Sequence, residues 1–218
     1  MSVFLTGVSG FVGTNLIVSL HSKYHINSYK RKAEILINEE IVIHLGGKSH
    51  DLKKVSSSDE YYQVNTEFTK QIFDAFRISD AKVFITLSSV KAVADDVDGI
   101  LTEEDIPSPI THYDKSKLLA EQYILSKEIP EGKRGYILRP SMIHGPGNKG
   151  NLNLLYKLVF KVIPWPLGTF ENKRSFCSID DLMFIIKELI EREDIPSGVY
   201  NVSNDEPIST NQVVSLIA

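Results

Sequence analysis

A single cysteine, Cys177, occurs among 218 residues, which excludes an internal disulfide and a cysteine-based metal site. It reads as a small buried hydrophobe and fits a reducing, cytoplasmic setting. Neither charge sign is in excess: 24 Lys and Arg stand against 28 Asp and Glu, so nothing in the charge balance points to nucleic acid as a partner. No apolar run approaches the roughly 18 residues of a membrane span. The longest stretch, Leu154 to Trp165, is interrupted by Tyr156, Lys157, Lys161 and Pro164. The opening MSVFLTGVSG has no basic residues ahead of an apolar stretch, and reads as a strand rather than a signal peptide. No His, Asp and Glu spacing suggests a metal site, and repeats and low-complexity segments are missing.

Apolar runs of strand length alternate with stretches of helical period. Strands are expected at Ser2–Thr6, Ile41–Leu45, Lys82–Leu87 and Gly135–Arg139, with a further strand ending near His25–Arg31. Helices are expected at Phe11–Leu20, at Glu60–Ser79 through Val64, Phe68, Ile72, Phe73 and Phe76, and at Thr111–Ser126 with Leu118, Leu119 and Ile124 inward. This rhythm predicts an α/β fold, a Rossmann-like doubly wound parallel sheet. Residues 1–140 form its dinucleotide-binding part, and the turn-rich remainder, 141–218, a smaller interwoven substrate-binding region. A helix begins near Thr210 and still runs on apolar residues at Ala218, which leads to the expectation of a truncated C-terminal lobe.

Gly7, Gly10 and Gly13 lie between the first strand and the first helix, with Phe11 and Val12 opening that helix. In that context glycines permit a tight turn, close approach of a pyrophosphate and close helix packing; the alternative is a structural βα turn without ligand. No acid stands at the end of the second strand, where NAD binders hold a ribose hydroxyl. Lys30 and Arg31 suit a 2′-phosphate, slightly favouring NADP over NAD, or else form a solvated basic loop.

Tyr113 and Lys117 are four residues apart on an expected helix, so both share one face. An ammonium beside a phenol stabilises the phenolate and makes a general base; the alternative is a surface helix with a snorkelling lysine. Ser88 and Ser89 follow a strand directly, at the sheet edge where ligands bind. Ser89 is expected as the reacting partner and Ser88 as support, against the ordinary reading of turn serines. His44, in an apolar strand, reads as a satisfied core histidine, and His50 and Asp51 as solvated. His112 adjoins Tyr113 and is placed to perturb it. Asp180 and Asp181 read as caps of a helix starting near Leu182.

These segments together resemble the extended short-chain dehydrogenase/reductases, the NAD-dependent epimerase/dehydratase group that acts on nucleotide-sugars. TGVSGFVG resembles the family's dinucleotide turn and VIHLGG its next strand signature, with Leu45 and Gly46 at the cofactor and Lys48 within reach of a phosphate. Asn65 matches the bracing asparagine, SSVKAVA the serine segment, and YDKSK the Tyr/Lys pair, with Lys117 also holding the ribose. LRPSMIHGPGN is similar to the segment lining nicotinamide and sugar, through Pro140 and Met142, and KRSFCSIDDL to the block whose arginine, here Arg174, binds a nucleotide phosphate; Asn151 is implied at the diphosphate. Departures are Asp114 where a small residue is usual, Gly46 where alanine is usual, and Val93-Ala94 for Tyr-Gly. Val90 and Lys91 replace the acid pair of dehydratases, so dehydration is not expected. The resemblance implies hydride exchange at C4 of a UDP-hexose or UDP-N-acetylhexosamine (a 4-epimerase), in a homodimer through the helices of Glu60–Ser79 and Thr111–Ser126. The alternative is an NADPH-dependent nucleotide-4-ketosugar reductase. A non-catalytic dinucleotide-sensing regulator is more remote, because the Tyr and Lys are both present.

Overall fold

A computed structural model describes residues 1–48, 57–148, 151–160 and 172–217. Six parallel strands form the central sheet: β1 (Ser2–Thr6), β2 (His25–Ser28), β3 (Ile41–His44), β4 (Val83–Leu87), β5 (Arg134–Pro140) and β8 (Gly198–Val202), in the order β2-β1-β3-β4-β5-β8. Their apolar runs are continuous because both faces are covered. Val3, Leu5, Ile41, Ile43, Val83 and Ile85 face helices α1 (Phe11–Leu20) and α6 (Ile179–Glu191), which contribute Leu16, Leu20, Leu182 and Ile186. The intervening Phe4, Val42, Phe84 and Ile137 face α3 (Phe68–Ile78) and α4 (His112–Leu125), which contribute Ile72, Phe73, Phe76 and Ile124. The doubly wound expectation is met. Because β1 has β2 on one side and β3 on the other, the order reverses there, and that point opens a crevice at the strands' carboxyl ends.

The helix expected over Glu60–Ser79 is interrupted. A short α2 (Ser58–Tyr61) runs into a π-helical stretch, Tyr62–Glu67, before α3. The wider turn brings Asn65 and Thr66 inward and leaves Val64 only half-buried. Apolar spacing does not reveal this, because the inward side chains are polar and matched by hydrogen bonds instead. On α4, Leu119 is exposed rather than inward. The cap of α6 is Ser178, whose hydroxyl accepts from the Asp181 amide at 3.0 Å. Asp180 and Asp181 are therefore not the caps expected; they sit in the first turn, where negative charge suits the helix dipole.

Beyond residue 140 the chain is woven into this core, since α6 and β8 belong to it. Other described residues form a small parallel pair, β6 (Met142–His144) and β7 (Phe176–Ser178), with α5 (Asn151–Phe160) against α7 (Thr210–Ile217). The open edge of β8 is covered by the loop before α4: the Asn201 amide donates to Glu103 at 2.6 Å, and its side chain to the Leu101 carbonyl at 3.2 Å. At the start of β5, Lys133 donates to the Phe76, Arg77 and Ser79 carbonyls at the end of α3. Its neighbour Arg134 donates to Leu189, Ile190 and Arg192 at the end of α6. Each cation thus satisfies terminal carbonyls of a helix on its own side of the sheet.

Candidate functional site

The glycine turn lies at the switch point. Gly7 has φ +73° and rests on the Leu45 backbone, where a Cβ would fall 2.5 Å from the carbonyl. Gly10 is the N-cap of α1, which has no side-chain cap and no acid in its first turn. The amides of Phe11, Val12 and Gly13 open that turn free of side-chain capping, a ready site for an anion. A Cβ on Gly13 would lie 2.2 Å from the Gly7 carbonyl oxygen. Gly13→Ala is therefore expected to overpack the turn by roughly 1–3 kcal/mol, read as a lower chemical-denaturation midpoint and loss of the thermal shift on adding dinucleotide.

Beside it, Tyr29 continues from β2. Its amide donates to the Leu5 carbonyl, its ring packs 5.3 Å from that of Phe68, and its hydroxyl donates to the Ala33 carbonyl at 3.0 Å. These contacts hold a turn, Lys30 to Ala33, with Lys32 at φ +68°. Lys30 and Arg31 are exposed on it, and no ion pair of either is seen among the described residues.

Tyr113 and Lys117 lie on α4. A capping box starts that helix: the Thr111 hydroxyl accepts from the Asp114 amide at 3.2 Å, and the Asp114 carboxylate accepts from the Thr111 amide at 3.1 Å. This explains the acid at a position where a small residue is usual. Tyr113 is hydrogen-bonded to Ser89, whose hydroxyl also accepts from the Lys91 amide at 3.2 Å. Ser88 is buried, and its hydroxyl has no partner among the described residues. Lys117 donates to the Leu87 carbonyl at 2.8 Å.

The expected acidification of the phenol is not seen. Burial, then the Asp114 carboxylate, push the Tyr113 phenol up to about 12, with the Ser89 hydrogen bond opposing them. Burial also lowers Lys117 to about 8, against the pull of Glu121. Burial of the phenol outweighs the help expected from an ammonium on the same helix face. Tyr113 therefore holds its proton near neutrality. Asp114→Asn keeps an acceptor for the Thr111 amide and removes the charge, so the phenol pKa falls. The profile of kcat/KM for alcohol oxidation is expected to move to lower pH; an unmoved profile would show that this carboxylate does not reach the phenol.

Asn65 accepts from the Lys48 amide at 2.7 Å and donates to the Lys48 carbonyl and the Ser116 hydroxyl. The Lys48 ammonium pairs with Glu60 at 2.6 Å, so a phosphate must compete for it. His112 bonds Tyr62 at 3.0 Å. Pro140 ends β5 and Met142 begins β6; Met142 pairs with Phe176, two residues beyond the exposed Arg174. The Asn151 side chain, His50 and Asp51 lie outside the described residues.

Sequence reasoning missed Glu121 and Arg139. Arg139 on β5 donates from Nε and Nη2 to both Glu121 oxygens at 2.6–3.1 Å, with 5% and 2% of the side chains exposed. The signal was the repeat of Tyr113, Lys117 and Glu121 at intervals of four. A pyrophosphate-shaped turn, a Ser–Tyr contact and a lysine one turn on thus meet at one edge of the sheet. The arrangement fits a dinucleotide: glycines where a Cβ would collide, uncapped amides and no acid at the helix start.

Comparison with known proteins agrees. Residues 3–203 match the NAD dependent epimerase/dehydratase family. The chain is 32% identical to the UDP-glucose 4-epimerase of Vibrio cholerae over 245 aligned positions, covering 100% of this chain and 75% of that protein. It is 24% identical to the GDP-6-deoxy-D-mannose reductase of Pseudomonas aeruginosa, covering 99% and 79%. The solved structure of MoeE5 in complex with UDP-glucuronic acid and NAD superimposes with a TM-score of 0.84 at 23% identity, covering 100% and 81%, which speaks for the fold. This chain belongs to the NAD dependent epimerase/dehydratase family.

Proposed function

We propose that the chain is a nucleotide-sugar 4-epimerase acting on a UDP-hexose or UDP-N-acetylhexosamine. The observation that carries this is the Tyr113–Ser89 hydrogen bond at the carboxyl edge of the sheet, one helical turn from Lys117. The dinucleotide, when bound, supplies the hydride acceptor and donor and a cationic ring. The residues named here for it are Gly7, Gly10, Phe11, Val12 and Gly13 on the phosphate side, and Lys117 at the ribose. Tyr113 takes the C4 hydroxyl proton as the alcohol is oxidised and returns it to the C4 ketone; the phenolate that the first half needs would be favoured, against burial, by the cationic ring of the bound dinucleotide. Ser89 donates to or accepts from the same sugar oxygen. Residues 141–218 form the substrate-binding region, with Met142 and Arg174 toward the sugar nucleotide. Exposed Ile78, Leu119 and Leu125 on α3 and α4 support a homodimer through these helices.

Lys30 and Arg31, exposed and unpaired by any acid described, favour a second reading: an NADPH-dependent nucleotide-4-ketosugar reductase. One experiment separates the two. The protein is mixed with UDP-glucose, UDP-N-acetylglucosamine or a UDP-4-ketosugar while NADPH absorbance is followed. An epimerase interconverts the first two with their C4 epimers without consuming NADPH, and a reductase oxidises one NADPH per ketosugar. No conversion in any arm overturns both. In the reductase case, Lys30→Ser with Arg31→Ser raises KM for NADPH and leaves that for NADH unchanged.

A further inference from the structure

His44 ends β3 directly beneath the candidate site and is 2% exposed. Both ring nitrogens are engaged: Nδ1 with the Thr6 hydroxyl at 2.8 Å, and Nε2 with the Thr69 hydroxyl at 2.9 Å. The proton positions follow from the neighbours. The Thr69 hydroxyl lies 2.7 Å from the Asn65 carbonyl, which only accepts, so Thr69 spends its proton there and must accept from His44 Nε2. A neutral ring has one N–H, so Nδ1 accepts from the Thr6 hydroxyl, and Thr6 in turn accepts the Gly46 amide at 2.8 Å. Burial and the nearby Lys117 charge keep the ring neutral. Donation therefore runs inward to the ring from Gly46 through Thr6, and outward from the ring through Thr69 to Asn65.

This chain ties down a loop at both ends. The Gly46 amide is held by Thr6, and the Lys48 amide and carbonyl by Asn65. Between them Gly47 lies so close to Lys117 that a Cβ would sit 3.2 Å from the ammonium. Before them Leu45 supports Gly7 of the phosphate turn. The packing also accounts for Gly46 where alanine is usual: a Cβ there would fall 2.8 Å from the Phe68 ring and 2.9 Å from the Thr6 hydroxyl.

We propose that His44 is a positioning residue: locked as the neutral Nε2–H tautomer between Thr6 and Thr69, it sets the loop Leu45–Lys48 and, through it, the place of the Lys117 ammonium. The role of that ammonium rests on the hydride-transfer reading above; the tautomer does not. Long-range ¹H–¹⁵N NMR of histidine-labelled protein is expected to show His44 as Nε2–H from pH 5 to 8. Thr69→Val is expected to lower kcat roughly tenfold to a hundredfold, with KM for the nucleotide-sugar within twofold, and Thr69→Ser to restore it. An Nδ1–H or doubly protonated ring overturns the proposal even if no substrate turns over. A Thr69→Val protein with the kcat of the unaltered chain overturns it as well.

Discussion

Tyr113→Phe is expected to lower turnover roughly 10²–10⁴-fold, the range for loss of a positioned acid–base group, with dinucleotide affinity nearly unchanged. The substitution removes one oxygen. The ring stays packed edge-on against Tyr61, 6.2 Å away at 72°, and the helix start does not depend on it, because Thr111 and Asp114 make the capping box. Ser89 keeps its contact with the Lys91 amide. What is lost is the proton held on a phenol whose burial keeps it protonated at neutral pH. Single-turnover measurement of proton and hydride transfer, beside dinucleotide titration by calorimetry, separates chemistry from binding. Undiminished turnover of every candidate sugar would remove Tyr113 from the mechanism and with it the reading proposed here.

Breaking the Glu121–Arg139 pair from one side is expected to have the largest effect on stability. Both side chains are buried, and Arg139 reaches both carboxylate oxygens. Arg139→Met leaves a carboxylate in the interior without its partner, which costs about 3–5 kcal/mol. The joint change Glu121→Leu with Arg139→Met removes both charges and is expected to recover most of this loss in chemical denaturation. If the double variant were no better than the single, charge burial would not be the cause. A second effect follows in the active region. Glu121 opposes the lowering of the Lys117 pKa, so Glu121→Gln lets it fall further below about 8. Any activity that needs the ammonium is then lost from a lower pH upward.

What was legible in the sequence is what repeats at a fixed period. The glycine turn, the buried strands and the Tyr113–Lys117 spacing follow from backbone geometry that a short pattern encodes, and these led to the fold and the family. The π-helical stretch at Tyr62–Glu67 was not legible, because its inward Asn65 and Thr66 read as a solvated face until their partners on α4 are in place. Ser178 was passed over as a cap because two aspartates just after it looked like stronger caps. The direction of the Tyr113 shift is not legible for a related reason: helical spacing brings Lys117 to the same face, but only the fold shows how deeply the phenol is buried and that Asp114 adds to the rise. Glu121, though missed, has a signal in its four-residue spacing from Lys117, whereas its partner Arg139 is 18 residues further on, across to a strand.

Lys133 and Arg134 hold the ends of helices that belong to opposite cores, although only one peptide bond separates them. Releasing the first residues of β5 would strip the last carbonyls of α3 and α6 at the same moment, so neither layer can fray there by itself. Amides at these two helix ends should then exchange with solvent at matched rates, as one cooperative unit that spans the thickness of the domain.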